Sequence, residues 1–422
     1  MPPHAMTDSP TNTSTHSPTT TATLTDADVD RLRADTPGVG QVLHFNNAGA
    51  SLPPRPVLDA VKAHLDLEAR IGGYEAEAEA EAQDKLTHTY AALARLLNCR
   101  SDEIALMENA TRAWDMVFYA MRFSPGDRIV TARASYASNY IAFLHMAQRS
   151  GVEIVVLPCD ETGQADVAAL AAMLDEPDHR IKLIAITHVP TNGGLVNPAA
   201  EIGTLARAAG LPYLLDACQS AGQLPLDVTK LGCTMLSATG RKYCRGPRGT
   251  GFLYVRRDWI DRLDPPFLDL HAAEWVSPDR YEVRADAKRF ETWEGFVAGK
   301  IGLGVAIDYA LAIGLDAIAQ RIGDLSNQLR QGLTCLKGVT VQDLGQHPCG
   351  IVTFTLQDQS PQAIQRRLAE MHRINVSTTT VSGTRLDMEA RHLQDMVRAS
   401  VHYYNSSAEV DRFCEAVGTL IH

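Results

Sequence analysis

Residues 213–242 read YLLDACQSAGQLPLDVTKLGCTMLSATGRK, and the two ends of this stretch decide how the chain is read. Tyr213–Leu215 is a short apolar run of the kind that forms a strand buried on both faces. An acid, Asp216, ends it. An acidic side chain leaving a buried strand is costly unless a cation or hydrogen bonds compensate it. Lys242 follows 26 residues later, directly after Ser237-Ala238-Thr239-Gly240-Arg241. A lysine beside another cation in a partly buried pocket has a lowered pKa and forms Schiff bases. Each residue also has a plainer reading, Asp216 as a helix cap and Lys242 as a solvated lysine beside a glycine-rich turn.

Outward from this stretch, residues 61–260 alternate helix-like and strand-like segments. Ala- and Glu-rich stretches such as Glu75–Gln83 favour helix. Apolar runs at Ile104–Met107, Arg128–Thr131, Val152–Leu157, Leu183–Thr187 and Phe252–Val255 read as further strands. Strands that alternate with helices imply crossover connections and a mostly parallel sheet, an α/β fold. Beyond residue 300 the texture changes. Ile301–Ile313 and Ala317–Leu336 read as long helices, Gly350–Leu356 as a strand and Ser360–Met371 as a helix. Ile374–Ser377, Met396–His402 and a helix from Ala408 complete a smaller α+β C-terminal domain. The expected division is a disordered tail over 1–24, an N-terminal segment over 25–60, a large domain over 61–298 and a small domain over 299–422.

The bulk numbers narrow the partners. The 422 residues are 45% hydrophobic and 21% charged, with a formal net charge of −11. That is ordinary globular composition, and it argues against nucleic-acid binding, which needs a basic face. No apolar run approaches a membrane span. The Thr-, Ser- and Pro-rich start lacks the basic and apolar regions of a secretory signal. Eight cysteines are scattered with no C-x-x-C pair, and no His/Cys group has zinc spacing, so the reading is reduced thiols, no metal and a cytoplasmic location.

Ligands of an open parallel sheet sit beyond the carboxyl ends of its strands. Glu108-Asn109-Ala110-Thr111 leads from a strand into a helix, and a helix start can hold a phosphate; Asn109 or Thr111 can equally be a simple N-cap. Thr187-His188-Val189-Pro190-Thr191-Asn192-Gly193-Gly194 is a polar, glycine-rich strand end. Gly246-Pro247-Arg248-Gly249-Thr250-Gly251 allows close backbone approach but matches neither dinucleotide nor P-loop spacing.

Taken together, a phosphate cradle, a polar loop, an acidic strand end and a lysine in this order resemble the fold-type I enzymes that use pyridoxal 5'-phosphate. More closely, they resemble the class V aminotransferase group, which includes cysteine desulfurases, selenocysteine lyases, isopenicillin N epimerase-like proteins and the C–S lyases of ergothioneine synthesis. The resemblance runs from Phe45 to the C-terminus. It implies that Ala110, Thr111, Thr239 and Arg241 hold the phosphate, and that Tyr136 stacks on the ring where desulfurases have a histidine. It implies that Thr191 and Gln219 meet the ring hydroxyl, Asp216 the ring nitrogen, and that Lys242 is the Schiff-base lysine. Catalysis then rests on Lys242, Asp216 and Tyr136. Ala48, Gly49, Asn192 and Arg398 border the substrate, with Arg398 gripping its carboxylate. Arg289–Gly295 resembles a loop that reaches the neighbouring subunit of a homodimer, although Glu294 stands where a threonine is usual.

The resemblance also bears on the reaction. Desulfurases place a mobile cysteine shortly before the carboxylate-binding arginine, and residues 374–385 contain none. The nearest cysteines are Cys349 and Cys414. The expectation is therefore β-elimination of a sulfur group from a cysteine-derived amino acid without a protein thiol. Transamination and racemisation or epimerisation share the first step and stand as alternatives. Persulfide-forming desulfuration and a non-catalytic binding protein on the same fold are disfavoured.

Overall fold

The computed structural model describes residues 23–421. The tail expected to be disordered lies, through residue 22, outside the described residues. Seven strands form the central sheet: β1 (Ile104–Met107), β2 (Arg128–Ala132), β3 (Glu153–Leu157), β4 (Ile181–Thr187), β5 (Tyr213–Asp216), β6 (Met235–Thr239) and β7 (Gly251–Val255). Their order is β1-β7-β6-β5-β4-β2-β3. Neighbours are parallel except at β7, which runs antiparallel to β1 and β6. This is the mostly parallel α/β sheet that the alternating pattern implies. β5 lies in the middle, buried throughout. Tyr213 and Leu215 pack into one core layer and Leu214 into the other, the period of two that makes a doubly covered strand read as unbroken apolar sequence.

β6 differs from the sequence reading. Ser237-Ala238-Thr239 belongs to this strand, paired with β5 and β7, and Lys242 follows three residues past its end. Its polar residues hid it from a search for apolar runs. At the start of β7 a Cβ on Gly251 would lie 2.7 Å from the carbonyl carbon of Asn109 and 2.8 Å from the Ala238 oxygen. Only glycine lets the turn before helix Ala110–Phe118 press against the strand edge.

The smaller sheet contains β8 (Val339–Val341), β9 (Ile351–Leu356), β10 (Ser377–Thr379) and β11 (Met396–Ser400), antiparallel in the order β8-β9-β11-β10. The strand expected at Ile374–Ser377 is split. Ile374–Asn375 pairs in parallel with Leu43–His44, and β10 begins at Ser377. The N-terminal segment thereby joins the small core, which buries Leu43 and Phe45 with Phe354 and Phe413. Helix Val297–Ile313 runs through the boundary expected near 298. Its Leu303 and Ile307 pack in the large core, and its Ala310 packs in the small one. No single helix among the described residues is long and apolar enough to cross a membrane.

Arg245 fastens these parts together. It is only 2% exposed and, among the described residues, forms no ion pair. Nε donates to the Leu52 carbonyl at 2.8 Å, Nη1 to the Tyr403 hydroxyl at 2.7 Å and Nη2 to Thr36 Oγ1 at 2.7 Å. The guanidinium also lies 4.4 Å from the Tyr404 ring centroid, a cation–π contact. One side chain thus ties the N-terminal segment and the small unit to the turn after Lys242. Arg245→Ala should destabilise the protein by about 3 kcal/mol, because two buried hydroxyls and a half-buried carbonyl lose their donor at once. Urea unfolding should show a lower midpoint, with only partial recovery in Arg245→Lys. An Ala variant with the wild-type midpoint would show that the contacts do not bind the units together.

Candidate active site

A cavity of about 530 Å³ opens beyond the carboxyl ends of β1, β4, β5 and β6. Asp216 ends β5 inside it, 4% exposed. Its Oδ2 accepts from Asn139 Nδ2 at 2.8 Å, and its Oδ1 accepts from the Cys218 backbone N–H at 2.9 Å. Burial pushes the Asp216 carboxyl above its ordinary value, against these hydrogen bonds and the nearby charge of Lys242. A turn follows Asp216, not a helix, so the helix-cap reading fails.

Lys242 is 8% exposed. Its Nζ donates to Cys218 Sγ at 3.3 Å. Burial pushes the amine below its ordinary value; Cys218 opposes this, Arg241 and Arg398 add to it, and Asp216 opposes it. It is not a solvated surface lysine.

Polar groups for an anion gather at the start of helix Ala110–Phe118. Asn109 Oδ1 accepts from the Arg112 N–H at 2.9 Å, so Asn109 is the N-cap, while Ala110 and Thr111 line the cavity. The cap is thus Asn109, which leaves Thr111 free of that role beside the cavity. Thr239, paired with Gly251 against this helix start, donates from Oγ1 to the Thr250 carbonyl and accepts from Arg241 Nη1, each at 3.2 Å. Arg248 adds an exposed guanidinium to the lining.

Of the residues named from sequence, Ala110, Thr111, Tyr136, Thr191, Asp216, Gln219, Thr239, Arg241 and Lys242 all line this one cavity. Four others do not. Asn192 turns away, donating from Nδ2 to the Thr380 carbonyl at 3.0 Å. Ala48 stands behind Gln219, whose Nε2 donates to the Ala48 carbonyl at 3.1 Å, and Gly49 packs on Asn46. Arg398 lies behind Thr191, with Nη1 2.6 Å from Thr191 Oγ1 and Nε buried without a partner. Burial pushes the Arg398 pKa below its ordinary value.

The sequence reading missed Asn139, Cys218, Ser237 and Arg248 as lining residues. Asn139 had a signal. It follows Tyr136 by three positions, and Tyr136 is the N-cap of helix Ala137–Ser150, so one helical turn brings both to the cavity. Cys218 had none, since the turn after β5 has no periodicity that says which side chains face the cavity.

The lining fits pyridoxal phosphate. A buried carboxylate held by neutral donors suits a cationic ring nitrogen, and Gln219 Oε1 and Ser237 Oγ are buried polar atoms without partners. The helix start with Thr239 and Arg241 suits the phosphate. Lys242 suits the ring aldehyde.

Comparison with known proteins agrees. Residues 43–413 match the family described as aminotransferase class-V. A probable cysteine desulfurase of Methanothermobacter thermautotrophicus is 30% identical over 393 residues, 92% of this chain and 96% of the relative. The apo structure of a cysteine desulfurase from Thermococcus onnurineus NA1 superposes with a TM-score of 0.85 at 27% identity, covering 93% of this chain and 98% of that one. The cystine C–S lyase C-DES, in complex with its reaction product cysteine persulfide, gives a TM-score of 0.80 at 25% identity, covering 91% of this chain and 99% of that one.

Asn139 offers a direct check of this site. Asn139→Leu removes a donor from Asp216 and favours the protonated, weaker partner for a cationic ring. Absorbance titration of the cofactor-free variant with pyridoxal phosphate should give a Kd raised roughly 10–100-fold, the usual range for losing a residue that orients a ligand. An unchanged Kd would mean that Asp216 needs no support from Asn139.

Proposed function

The chain belongs to the aminotransferase class-V family and is an enzyme that uses pyridoxal 5'-phosphate, and we propose that its reaction is β-elimination of a sulfur group from a cysteine-derived amino acid. In this reading Lys242 holds the cofactor and its Nζ takes the α-proton, with burial favouring the uncharged amine that can accept it. Asp216 holds the ring nitrogen protonated. Ala110, Thr111, Thr239 and Arg241 hold the phosphate. Tyr136 and Thr191 border the ring and the substrate, and Arg398, directly behind Thr191 with its Nε unpartnered, is the guanidinium nearest at hand for a substrate carboxylate. Bound pyridoxal phosphate supplies a sink for the negative charge left on the α-carbon. A sulfur substituent on the β-carbon then leaves with its own bonding electrons, and no protein thiol is needed.

The observation that carries the thiol-free reading is the segment after β10. Val381–Thr384 and helix Arg385–Ala390 fold without a cysteine, and neither Cys349, buried two residues before β9, nor Cys414, in the last helix, lines the cavity. The likeness to a cystine C–S lyase supports the same reading. A second reading, cysteine desulfuration, is favoured by the names of the relatives and by one feature, that Cys218 does line the cavity. Burial pushes the Cys218 thiol up, away from the thiolate that attacks sulfur, so elimination is preferred.

One set of measurements tests the reading. Borohydride reduction and peptide mapping of the loaded enzyme should place the pyridoxyl group on Lys242. A panel of cysteine, cystine and cysteine S-conjugates should yield pyruvate, ammonia and the released sulfur fragment. Cys218→Ala, Cys349→Ser and Cys414→Ser should each retain pyruvate production. Alanine with a persulfide on Cys218 would establish desulfuration instead. A keto acid with stoichiometric pyridoxamine phosphate would establish transamination, and the inverted amino acid alone would establish epimerisation.

The protein should also be a homodimer. Phe267, Leu270, Trp275, Tyr281, Trp293 and Phe296 are exposed along one stretch, Trp275 to 78%, and Tyr74 borders the same hollow as Trp293 and Phe296. So many exposed large apolar side chains within thirty residues of sequence suit an interface. Light scattering should give twice the chain mass, and Trp275→Glu with Tyr281→Glu should shift it to the monomer. A wild-type monomer at micromolar concentration would refute the assignment.

A further inference from the structure

One group in the cavity has no part in the chemistry above. Cys218 is the only cysteine lining it, and its Sγ sits 3.3 Å from Lys242 Nζ. Neither atom has another hydrogen-bond partner among the described residues. The other seven cysteines are unpaired and none lines this cavity, so no second thiol stands ready to form a disulfide with Cys218.

A thiol oxidised to a sulfenic acid condenses with the nearest nucleophile, giving a disulfide with a thiol or a sulfenamide with a nitrogen. At Cys218 the nearest nucleophile is an amine, and the cavity gives a small oxidant a way in. Burial favours the uncharged form of Lys242, which carries the free electron pair. Burial also disfavours the Cys218 thiolate, so the reaction depends on enforced proximity and not on a ready-made anion.

We propose that Cys218 and Lys242 are a covalent modification pair, joined by a sulfur–nitrogen bond when the cofactor-free protein meets a hydroperoxide. In the first step the peroxide O–O bond breaks and one oxygen is transferred to Sγ, so the sulfur is oxidised by two electrons and the peroxide leaves as water or an alcohol. In the second step Nζ attacks Sγ, the S–N bond forms, the S–O bond breaks, and the hydroxyl departs with the amine proton as water. The protein loses two hydrogen atoms in all. A thiol reductant cleaves the S–N bond and restores both side chains. The crosslink occupies the nitrogen on which cofactor loading depends, so the modified protein stays empty until it is reduced. Loading protects the pair in turn, an extension that rests on Lys242 being the cofactor lysine.

The full-length protein, stripped of pyridoxal phosphate, is treated with hydrogen peroxide and digested without reductant by trypsin, which cuts after Lys230 and Arg241 and so places Cys218 and Lys242 on different segments. Mass spectrometry should find the segments with Cys218 and Lys242 joined and lighter by two hydrogen atoms, a product that disappears on dithiothreitol treatment. Treated protein should fail to develop cofactor absorbance when pyridoxal phosphate is added, and should recover it after reduction. Cys218→Ala should load the cofactor normally after the same exposure. Recovery of Cys218 as a free thiol, or as a sulfinic acid beside unmodified Lys242, overturns the proposal. The crosslink in stripped protein depends only on the contact between the two side chains. A crosslink that forms equally fast in loaded protein overturns instead the placing of the cofactor on Lys242.

Discussion

A carboxylate buried at the end of the middle strand of a parallel sheet must draw hydrogen-bond donors from every element that reaches it, since an unsupported buried charge costs several kcal/mol. Asp216 is in that position, and its needs organise its surroundings. Helix Ala137–Ser150 supplies Asn139 from its first turn, and the turn after β5 supplies the Cys218 N–H. Thr187 stands beside Asp216 in the register of β4 against β5, and its Oγ1 also accepts from the Tyr136 N–H at 3.1 Å. The backbone of Tyr136 is therefore set by a neighbour of Asp216. The residues on two sides of the cavity come into place through one acidic group.

A second buried charge near the cavity, Arg245, sets the remaining side. It lies three residues after Lys242 at a left-handed φ of 58°. Gly222 has a φ of 89°, and a Cβ there would sit 2.4 Å from the Tyr243 carbonyl oxygen, so the turn after β5 lies directly on the chain following Lys242. Lys242 is thus clamped between the Asp216 turn and the Arg245 anchor. The N-terminal segment is wedged in beside it: the Ala48 N–H donates to Ser400 Oγ, and the Ala48 carbonyl accepts from Gln219. A resemblance that assigned Ala48 to substrate placed it one layer too far forward, because its two backbone groups are spent joining β11 to the turn after β5.

The large sheet was legible wherever burial on both faces left an apolar run, as in β1, in Leu183–Ile186 of β4 and in Tyr213–Leu215 of β5. β6 escaped because Ser237 and Thr239 are polar although the strand is buried, their side chains serving the cavity end of the sheet. β8 and the hairpin Ala273–Ser277 with Arg280–Val283 escaped for the opposite reason, being partly or largely exposed and without a clean alternation. The site residues that could be read were those at ends of named strands. Contacts made by tertiary folding could not be read: Asn192 with Thr380, Arg398 behind Thr191, and Cys218 against Lys242 each join positions far apart in sequence or turned in directions that no periodicity encodes.

Asn192 shows how such a contact bears on chemistry. The same α-carbanion can be reprotonated, transaminated or lose a β-substituent, so what covers the substrate selects among outcomes that the cofactor leaves open. The segment that follows β10 is tied down. Asn192 holds the Thr380 carbonyl and Arg391 donates to the Gln342 carbonyl, two ties to the rest of the protein; within the segment the Val381 N–H reaches Asp395 and Arg391 pairs with Asp387 at 3.2 Å. A mobile loop that carries a thiol to the substrate needs few such ties, because each one must break for the loop to move. The segment from Thr380 to Asp395 is held at both ends of this span and carries no cysteine, which makes it unsuited to delivering a thiol.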